Sequence, residues 1–192
     1  RTLLPDMKEE KSVLIVGLGN RDVTPDALGP NVVNNMMITR HIIREYGAAA
    51  YGSEKVNLIS SITPGVMAQT GMEASEIVKG IINETNPDLI IAIDALAARS
   101  TKRLNRTIQV TDTGIHPGSG VGNHRSAITE EVLGVPVIAI GVPLVVDAGT
   151  IVNDAIAAIL QEIAVLSGSS PEHVESLRGT VTELGNFYVT PK

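Results

Sequence analysis

Aspartate is the residue type whose positions in this chain most directly suggest catalysis. Asp26 and Asp94 both come after predicted strands of a parallel sheet, and such sheets bind their ligands beyond the carboxyl ends of the strands. Two carboxyl groups that share a cleft repel each other when both are charged, so one keeps its proton while the other ionises. Such a pair can take a proton from water and give another to a substrate. Asp26 and Asp94 are therefore the predicted catalytic residues.

Two further aspartates, Asp112 and Asp147, also follow predicted strands and are the alternative acids. An aspartate at such a position, taken alone, more often caps a helix or stabilises a loop than takes part in a reaction. Asp94 differs because it terminates the most apolar predicted strand, residues 89–93. Partial desolvation at that point would make the pKa of its carboxyl group adjustable.

The segment 114–123 (GIHPGSGVGN) is too rich in glycine for regular structure and predicts a functional loop or flap. Its main-chain N–H groups can bind the backbone of a substrate or a developing oxyanion. The predicted substrate-binding residues are those of this loop together with one residue near Asp26: Asn20, His116, Gly118, Ser119, Gly120 and Asn123.

The same glycines allow an alternative from another functional class, a non-catalytic nucleotide-binding module of the Rossmann type. Gly17 and Gly19 begin like a dinucleotide fingerprint, but Asp22 stands where the third glycine is needed and would repel a pyrophosphate. Segment 118–122 lacks the Lys followed by Ser or Thr that a P-loop requires. Both matches to nucleotide-binding motifs are weak.

Ser119 and His116 allow two other chemistries. Ser119 with His116 and an aspartate would form a catalytic triad, but Ser119 lacks the residue that separates the serine of a nucleophile elbow from each flanking glycine. Ser119 is more typical of a turn. A neutral His116 imidazole with two aspartates would form a site for zinc or nickel. The other histidines, His41, His124 and His173, show no metal-ligand spacing.

Strands and helices that alternate along the chain must position these residues. Short apolar runs predict strands at 12–17, 56–62, 89–93, 107–110 and 136–140. Start signals and helical spacing predict a helix that ends near residue 46, a loop at 64–71, and helices at 72–86, at 146–166 and from 170 onward. This alternation predicts an α/β fold of three α/β/α layers with a mainly parallel, doubly wound sheet. We expect a single domain over 1–192, with a lead-in at 1–11, an α/β core at 12–166 and a carboxyl-terminal extension at 167–192.

Composition argues against several classes of partner. With 192 residues and 43% hydrophobic residues, the chain is long enough for a substantial core. A net charge of -6 and only 2% aromatic residues disfavour direct nucleic-acid and membrane partners. The chain has no cysteine, which removes thiolate catalysis and suits a reducing compartment. We expect a cytoplasmic protein, and the first residue, which is not Met, indicates a fragment or a processed form.

Four stretches of the chain resemble the germination protease family of spore-forming bacteria. They are VGLGNRDVTPDALGP at 16–30, IAIDALAARS at 91–100, TDTGIHPGSGVGN at 111–123 and LGVPVIAIGVP at 133–143. The resemblance implies an endopeptidase of the spore core that degrades small acid-soluble spore proteins during germination. It also implies a homotetramer that is made as a zymogen, and it places the family's two catalytic aspartates on Asp26 and Asp94. The amino-terminal portion of the family, which includes its propeptide, is mostly absent here, and the carboxyl-terminal part is shorter than expected.

A more distant resemblance is to the hydrogenase maturation peptidases, which implies the same three-layer fold. They are similar in the Gly-x-Gly-Asn opening, in an acidic residue at Asp26 and in an Asp at Asp94. In that family an acidic residue, an Asp and a His bind a transition metal. The alternative to a metal-free, cofactor-free aspartate pair is therefore a metallopeptidase that uses Asp26 and Asp94 with or without His116.

Overall fold

The computed structural model describes residues 10–53, 55–119, 125–167 and 188–190. Within these ranges, its strands are β1 (Ser12–Gly17), β2 (Leu58–Ile62), β3 (Leu89–Ala98), β4 (Gln109–Thr111), β5 (Val137–Asp147) and β6 (Tyr188–Val189). Its α-helices are α1 (Leu28–Asn34), α2 (Arg40–Tyr46), α3 (Met67–Thr70), α4 (Ala74–Thr85), α5 (Glu130–Leu133) and α6 (Ala148–Ser167). Short 3-10 helices lie at Thr24–Asp26, Ala48–Tyr51 and Thr101–Arg103.

The strands form one mixed sheet in the order β2-β1-β3-β5-β4, and β6 pairs with β5. β1 lies inside the sheet and pairs in parallel with both β2 and β3. The β4–β5 and β5–β6 pairs are antiparallel. The predicted α/β class with a mainly parallel sheet is therefore confirmed, with antiparallel pairs on the β5 side.

Contacts between residues divide the chain into two compact units. The first contains the described residues up to Ala95 and those of Ile108–Gly141. The second contains the described residues of Leu96–Thr107 and Val142–Lys192. The organisation of residues 1–192 as one domain stays a prediction.

The first unit has three layers because successive side chains of a strand point to opposite faces of the sheet. On one face, Leu14 and Val16 of β1 pack with Val78 of α4. On the other face, Val13 and Ile15 pack with Val33 of α1. β1 is buried on both faces, which explains why it is read as a continuous apolar run. The predicted α/β/α layering is confirmed.

Glycine allows α1 to approach the sheet at main-chain distance. A Cβ atom at Gly29 would overlap the carbonyl oxygens of Leu18 and Ile93, and one at Gly17 would overlap the carbonyl oxygen of Gly29. Any larger residue would push the helix away from the end of β1 and from Ile93 of β3. The glycines of segment 16–30 therefore serve close packing of the main chain, one of the roles that glycine has in such turns.

The first predicted helix is wrong in its continuity, because residues 35–39 separate α1 from α2. The cause is a long-range hydrogen-bond set at Thr39, which is only 2% exposed. Its N–H donates to the carbonyl of Ile59, and its hydroxyl accepts from the N–H of Ile59 and donates to the carbonyl of Asn57. These bonds satisfy main-chain groups along the outer edge of β2. They also prevent the chain near Thr39 from continuing the helix α1.

Several predicted boundaries are also corrected. β3 continues to Ala98 and β5 to Asp147, so both strands are longer than their apolar runs. β2 begins at Leu58 and β4 at Gln109, two residues later than predicted. The predicted loop 64–71 contains the short helix α3. The helix predicted from residue 170 lies outside the described residues.

The second unit contains α6, which begins at Ala148, two residues later than predicted, because β5 continues to Asp147. The carboxylate of Asp154 accepts hydrogen bonds from the hydroxyl of Ser100 and from the N–H and hydroxyl of Thr101. These bonds lower the pKa of Asp154 and tie α6 to the 3-10 helix at Thr101–Arg103. None of the described side chains of α6 is buried. Within the described part of the chain, no helix has the length and apolar character that a membrane span requires.

Candidate active site

The loop that follows β1 carries Asp26 back to the end of the sheet. The N–H of Leu18 continues the ladder by donating to the carbonyl of Ile93 at 2.8 Å. The N–H of Asn20 then donates to Oδ2 of Asp26 at 2.7 Å. Gly19 makes this turn possible, because its φ of 110° is rare for other residues and a Cβ there would overlap the carbonyl oxygen of Asp26.

Asp94 lies inside β3 and not at its end, which corrects the sequence interpretation. The ladder pairs Gly17 with Ile93, so Asp94 comes next, beside the point where β1 becomes the loop that leads to Asp26. Asp94 is 6% exposed. Its Oδ1 accepts the N–H of Ala95 at 2.8 Å. The carboxyl group is thus held by the main chain at a fixed place in the sheet.

The pKa of Asp94 is raised to about 7. Burial is the main cause because a desolvated carboxylate is disfavoured, and the negative charge of Asp26 is the second cause. The N–H of Ala95 acts in the opposite direction. The two acids are therefore close enough to interact, and Asp94 keeps its proton well above the pH at which an ordinary aspartate ionises.

Asp26 is half-buried, and burial raises the pKa of its carboxyl group. The hydrogen bond from Asn20 and the positive charge of Arg125 both lower that pKa. Asp26 thus has two partners that stabilise its charged form, whereas Asp94 has burial and a like charge against its own. The arrangement can hold one proton on Asp94 while Asp26 is ionised, as acid and base catalysis on water requires.

Arg125 and Gln69 are two site residues that the sequence interpretation missed. Arg125 stands two residues beyond the glycine-rich segment, so extending that segment would have included it. Gln69 lies on α3, and its Nε2 donates to Oδ1 of Asn20 at 3.2 Å and to Oδ2 of Asp22 at 3.3 Å. No local motif marks Gln69, because its partners lie more than forty residues away along the chain.

The glycine-rich loop is anchored by a bridge between Ile115 and Ile128, whose main-chain groups exchange both hydrogen bonds. His116 and Ser119 are exposed, and the N–H of Ser119 donates to the carbonyl of His116. Gly118 has a φ of 73°, which suits a turn. Gly120 and Asn123 lie outside the described residues, and so do His124 and His173.

The other candidate residues for chemistry are a third metal ligand, His116, and the alternative acids, Asp147 and Asp112. Across residues 10–53, 55–119, 125–167 and 188–190, no three His, Asp or Glu residues come together as metal ligands, so His116 does not join Asp26 and Asp94 as a third ligand. Asp147 accepts hydrogen bonds from the N–H and hydroxyl of Thr150 and so caps α6. Asp112 follows β4, whose last residue pairs with Ala139 near the start of β5.

Comparison with known proteins identifies the chain at the level of its family. The sequence profile described as germination protease matches residues 3–186. The chain belongs to the germination protease family. The matched range contains Asp26 and Asp94, and the resemblance predicted from the four sequence stretches is confirmed.

Relatives in this family share more than half of their aligned residues with the chain. The germination protease of Caldanaerobacter subterraneus subsp. tengcongensis is 54% identical over 98% of this chain and 62% of its own length. That of a Bacillus cereus strain is 58% identical over 80% of this chain and 41% of its own length. That of a Geobacillus species is 55% identical over 81% of this chain and 41% of its own length. The chain thus spans less than two thirds of the germination proteases that it matches.

A solved structure also aligns, that of a proteasome-assembly chaperone homologue of Mycobacterium tuberculosis. It covers 69% of this chain and 65% of its own, with a TM-score of 0.26 and 15% identity. A likeness at this level informs neither the fold nor the function of the family.

Proposed function

We propose that this chain is an endopeptidase that cleaves small acid-soluble spore proteins during germination, with Asp26 as general base and Asp94 as general acid. The observation that carries the proposal is the pKa of Asp94, raised to about 7 by burial and by the charge of Asp26. Membership of the germination protease family supports the substrate class.

The roles of the two acids follow from their surroundings. Burial raises the pKa of Asp26, but Asp26 is less buried than Asp94, accepts the Asn20 N–H and is near the Arg125 charge, so we assign it the role of the base. In the proposed reaction, Asp26 takes a proton from water as the water oxygen bonds to the scissile carbonyl carbon. Asp94 gives its proton to the carbonyl oxygen. When the C–N bond breaks, the proton on Asp26 passes to the leaving amine and Asp94 recovers its own.

Asn20 and the glycine-rich loop are proposed to bind the substrate backbone. Main-chain N–H groups of a Gly-rich loop can align an extended peptide and stabilise charge on its carbonyl oxygen. The proposed contacts come from His116, Gly118, Ser119, Gly120 and Asn123, together with Asn20. The side-chain oxygen of Asn20 is already engaged with Asp22 and Gln69, so its free amide hydrogens are the groups offered to substrate.

The test is cleavage of a purified acid-soluble spore protein by Asp26→Asn and Asp94→Asn variants, with Asp112→Asn and Asp147→Asn as matched controls. Loss of one acid or base is expected to lower kcat by about 10²- to 10⁴-fold, while the controls cleave at the rate of the parent chain. Circular dichroism checks that each variant is folded. Full activity in either Asp26→Asn or Asp94→Asn would refute the assigned roles.

A chelation arm separates the metal-free mechanism from the metallopeptidase alternative, which uses the same two aspartates. The proposed mechanism requires activity to be unchanged by a chelator and by added zinc or nickel. Activity that disappears with the chelator and returns with one of these ions supports the alternative. Nucleotide binding without proteolysis supports the Rossmann-like module.

We further propose a homotetrameric assembly in the spore core and a zymogen stage, as the family resemblance implies. The exposed apolar surface of α6 supports an interface between copies, since Ile159 is 59% and Leu166 is 85% exposed. Exposed apolar surface of this kind commonly marks a contact with another protein. Light scattering of the parent chain and of Ile159→Glu tests this, because the tetramer requires a fourfold mass that the variant loses.

A further inference from the structure

The loop between β1 and Asp26 is held from outside by one side chain. Gln69 reaches it from α3, and the two hydrogens of its Nε2 point at Oδ1 of Asn20, 3.2 Å away, and Oδ2 of Asp22, 3.3 Å away. The absence of a side chain at Gly65 leaves room for this amide. A Cβ at that position would lie only 3.3 Å from Oε1 of Gln69. These two hydrogen bonds link α3 to the loop that leads to Asp26.

The two acceptors need this donor. Oδ1 of Asn20 and the carboxylate of Asp22 face the same nitrogen, and two oxygens brought together without a hydrogen between them repel. Oδ1 of Asn20 also accepts the N–H of Asp22 at 3.0 Å, so the turn at 20–22 closes on itself. Gln69 supplies the hydrogen bonds that let this closed turn rest against α3.

The closed turn fixes the peptide group that binds Asp26. The main-chain N–H of Asn20 donates to Oδ2 of Asp26 at 2.7 Å, and this bond lowers the pKa of Asp26. A hydrogen bond of this length depends on the orientation of the peptide plane. Rotation of the Asn20 peptide would therefore weaken the bond and move the carboxylate.

We propose that Gln69 is a positioning residue for Asp26, which acts through Asn20 and Asp22 and does not meet the reacting atoms. The catalytic consequence rests on the proposed function, in which Asp26 is the general base. The positioning itself is a property of the folded chain and can be measured without a substrate.

The experiment compares the parent chain with Gln69→Leu, which keeps the size of the side chain and removes its donors. Ala68→Ser, at the neighbouring exposed position of α3, is the control. The NMR shift of the Asp26 carboxyl carbon, followed with pH, gives the pKa of that carboxyl group. NMR also measures the exchange rate of the main-chain amide hydrogen of Asn20. We expect Gln69→Leu to raise the pKa of Asp26 and to speed exchange at Asn20, and Ala68→Ser to change neither.

A second background shows whether the effect passes through Asn20 and Asp22. In Asn20→Ala/Asp22→Ala, which lacks both acceptors, adding Gln69→Leu is expected to leave the pKa of Asp26 where the double substitution alone has put it. If Gln69→Leu shifts the pKa equally in both backgrounds, the proposed route is wrong. An unchanged pKa of Asp26 and an unchanged amide exchange in Gln69→Leu alone would also overturn the proposal.

Kinetics with a spore-protein substrate form the last arm. Loss of the Gln69 hydrogen bonds is expected to lower kcat about fivefold to tenfold and to change KM less than kcat, because the substrate meets Asn20 and not Gln69. A raised KM with an unchanged pKa of Asp26 would mean that Gln69 binds substrate, which contradicts a positioning role. If the parent chain cleaves nothing, the proposed function fails, while the NMR arm still decides the role of Gln69.

Discussion

Replacing Asp94 by Asn tests the raised pKa directly, because the pKa of a buried acid is also a statement about stability. Between its ordinary pKa of 3.8 and about 7, Asp94 is protonated in the folded chain and ionised in the unfolded chain. The folded state then binds more protons, so stability falls as pH rises through this window. One pKa unit corresponds to about 1.36 kcal/mol, so the shift corresponds to a loss of about 4 kcal/mol.

The assay is urea unfolding of the parent chain and of Asp94→Asn from pH 4 to pH 8 at fixed ionic strength. Asn keeps the oxygen that accepts the Ala95 N–H but cannot ionise. We expect the free energy of unfolding of the parent to fall relative to that of the variant by about 4 kcal/mol across this range. Any constant offset from burying an amide shifts the variant's curve without changing its slope.

Glu84→Gln, at an exposed position of α4, is the control for removal of a carboxyl group and should follow the pH dependence of the parent. Parallel curves for the parent and Asp94→Asn would refute the reasoning, because they would show that Asp94 ionises at the same pH in both states.

Three other substitutions, two of them with a matched control, give separate tests. Arg125→Gln removes a charge that lowers the pKa of Asp26, so the acidic limb of the kcat/KM profile should move to higher pH; an unmoved limb contradicts the role of Arg125. Gly29→Ala forces a Cβ into main-chain oxygens and should lower the free energy of unfolding by about 1 to 3 kcal/mol through overpacking. Gly80→Ala, in open space on α4, is its control and should raise the free energy of unfolding by about 0.5 to 1 kcal/mol. Urea unfolding measures both. Thr39→Val strands the Ile59 N–H and should cost about 1 to 3 kcal/mol, whereas Thr39→Ser, which keeps the hydroxyl, should cost less; equal losses would rule out the hydrogen bonds as the cause.

The central strands could be predicted because their apolar runs are decisive. Segment 12–17 was predicted as a strand and is β1 with the same bounds, since burial on both faces demands a continuous apolar run that ends where the glycines begin. The apolar run before Asp94 was misleading for the opposite reason. A polar residue ends the run, but the strand continues to Ala98 because main-chain pairing does not require an apolar side chain at every position.

Features that depend on distant hydrogen bonds could not be predicted. No sequence pattern near Thr39 indicates its hydrogen bonds to the residues around Ile59. Those bonds decide where α1 and α2 separate. The same holds for Gln69 and Arg125, whose partners come from other parts of the chain. The proximity of Asp26 and Asp94 could be predicted because β1 and β3 are parallel neighbours. The end of β1 pairs with Ile93, so the loop that leads to Asp26 begins beside Asp94 although β3 continues past it.

The contact of Gly29 with Leu18 and Ile93 means that α1 is held against the sheet through peptide groups. Apolar side chains can be exchanged for others of similar volume, and a core then adjusts by rotamer changes. Peptide groups have no such freedom. The core of this protein can therefore accept many sequences, whereas the distance between α1 and the main chain at Leu18 and Ile93 cannot adjust in the same way. A designer who wished to move α1 away from the sheet would have to alter the glycines and not the core.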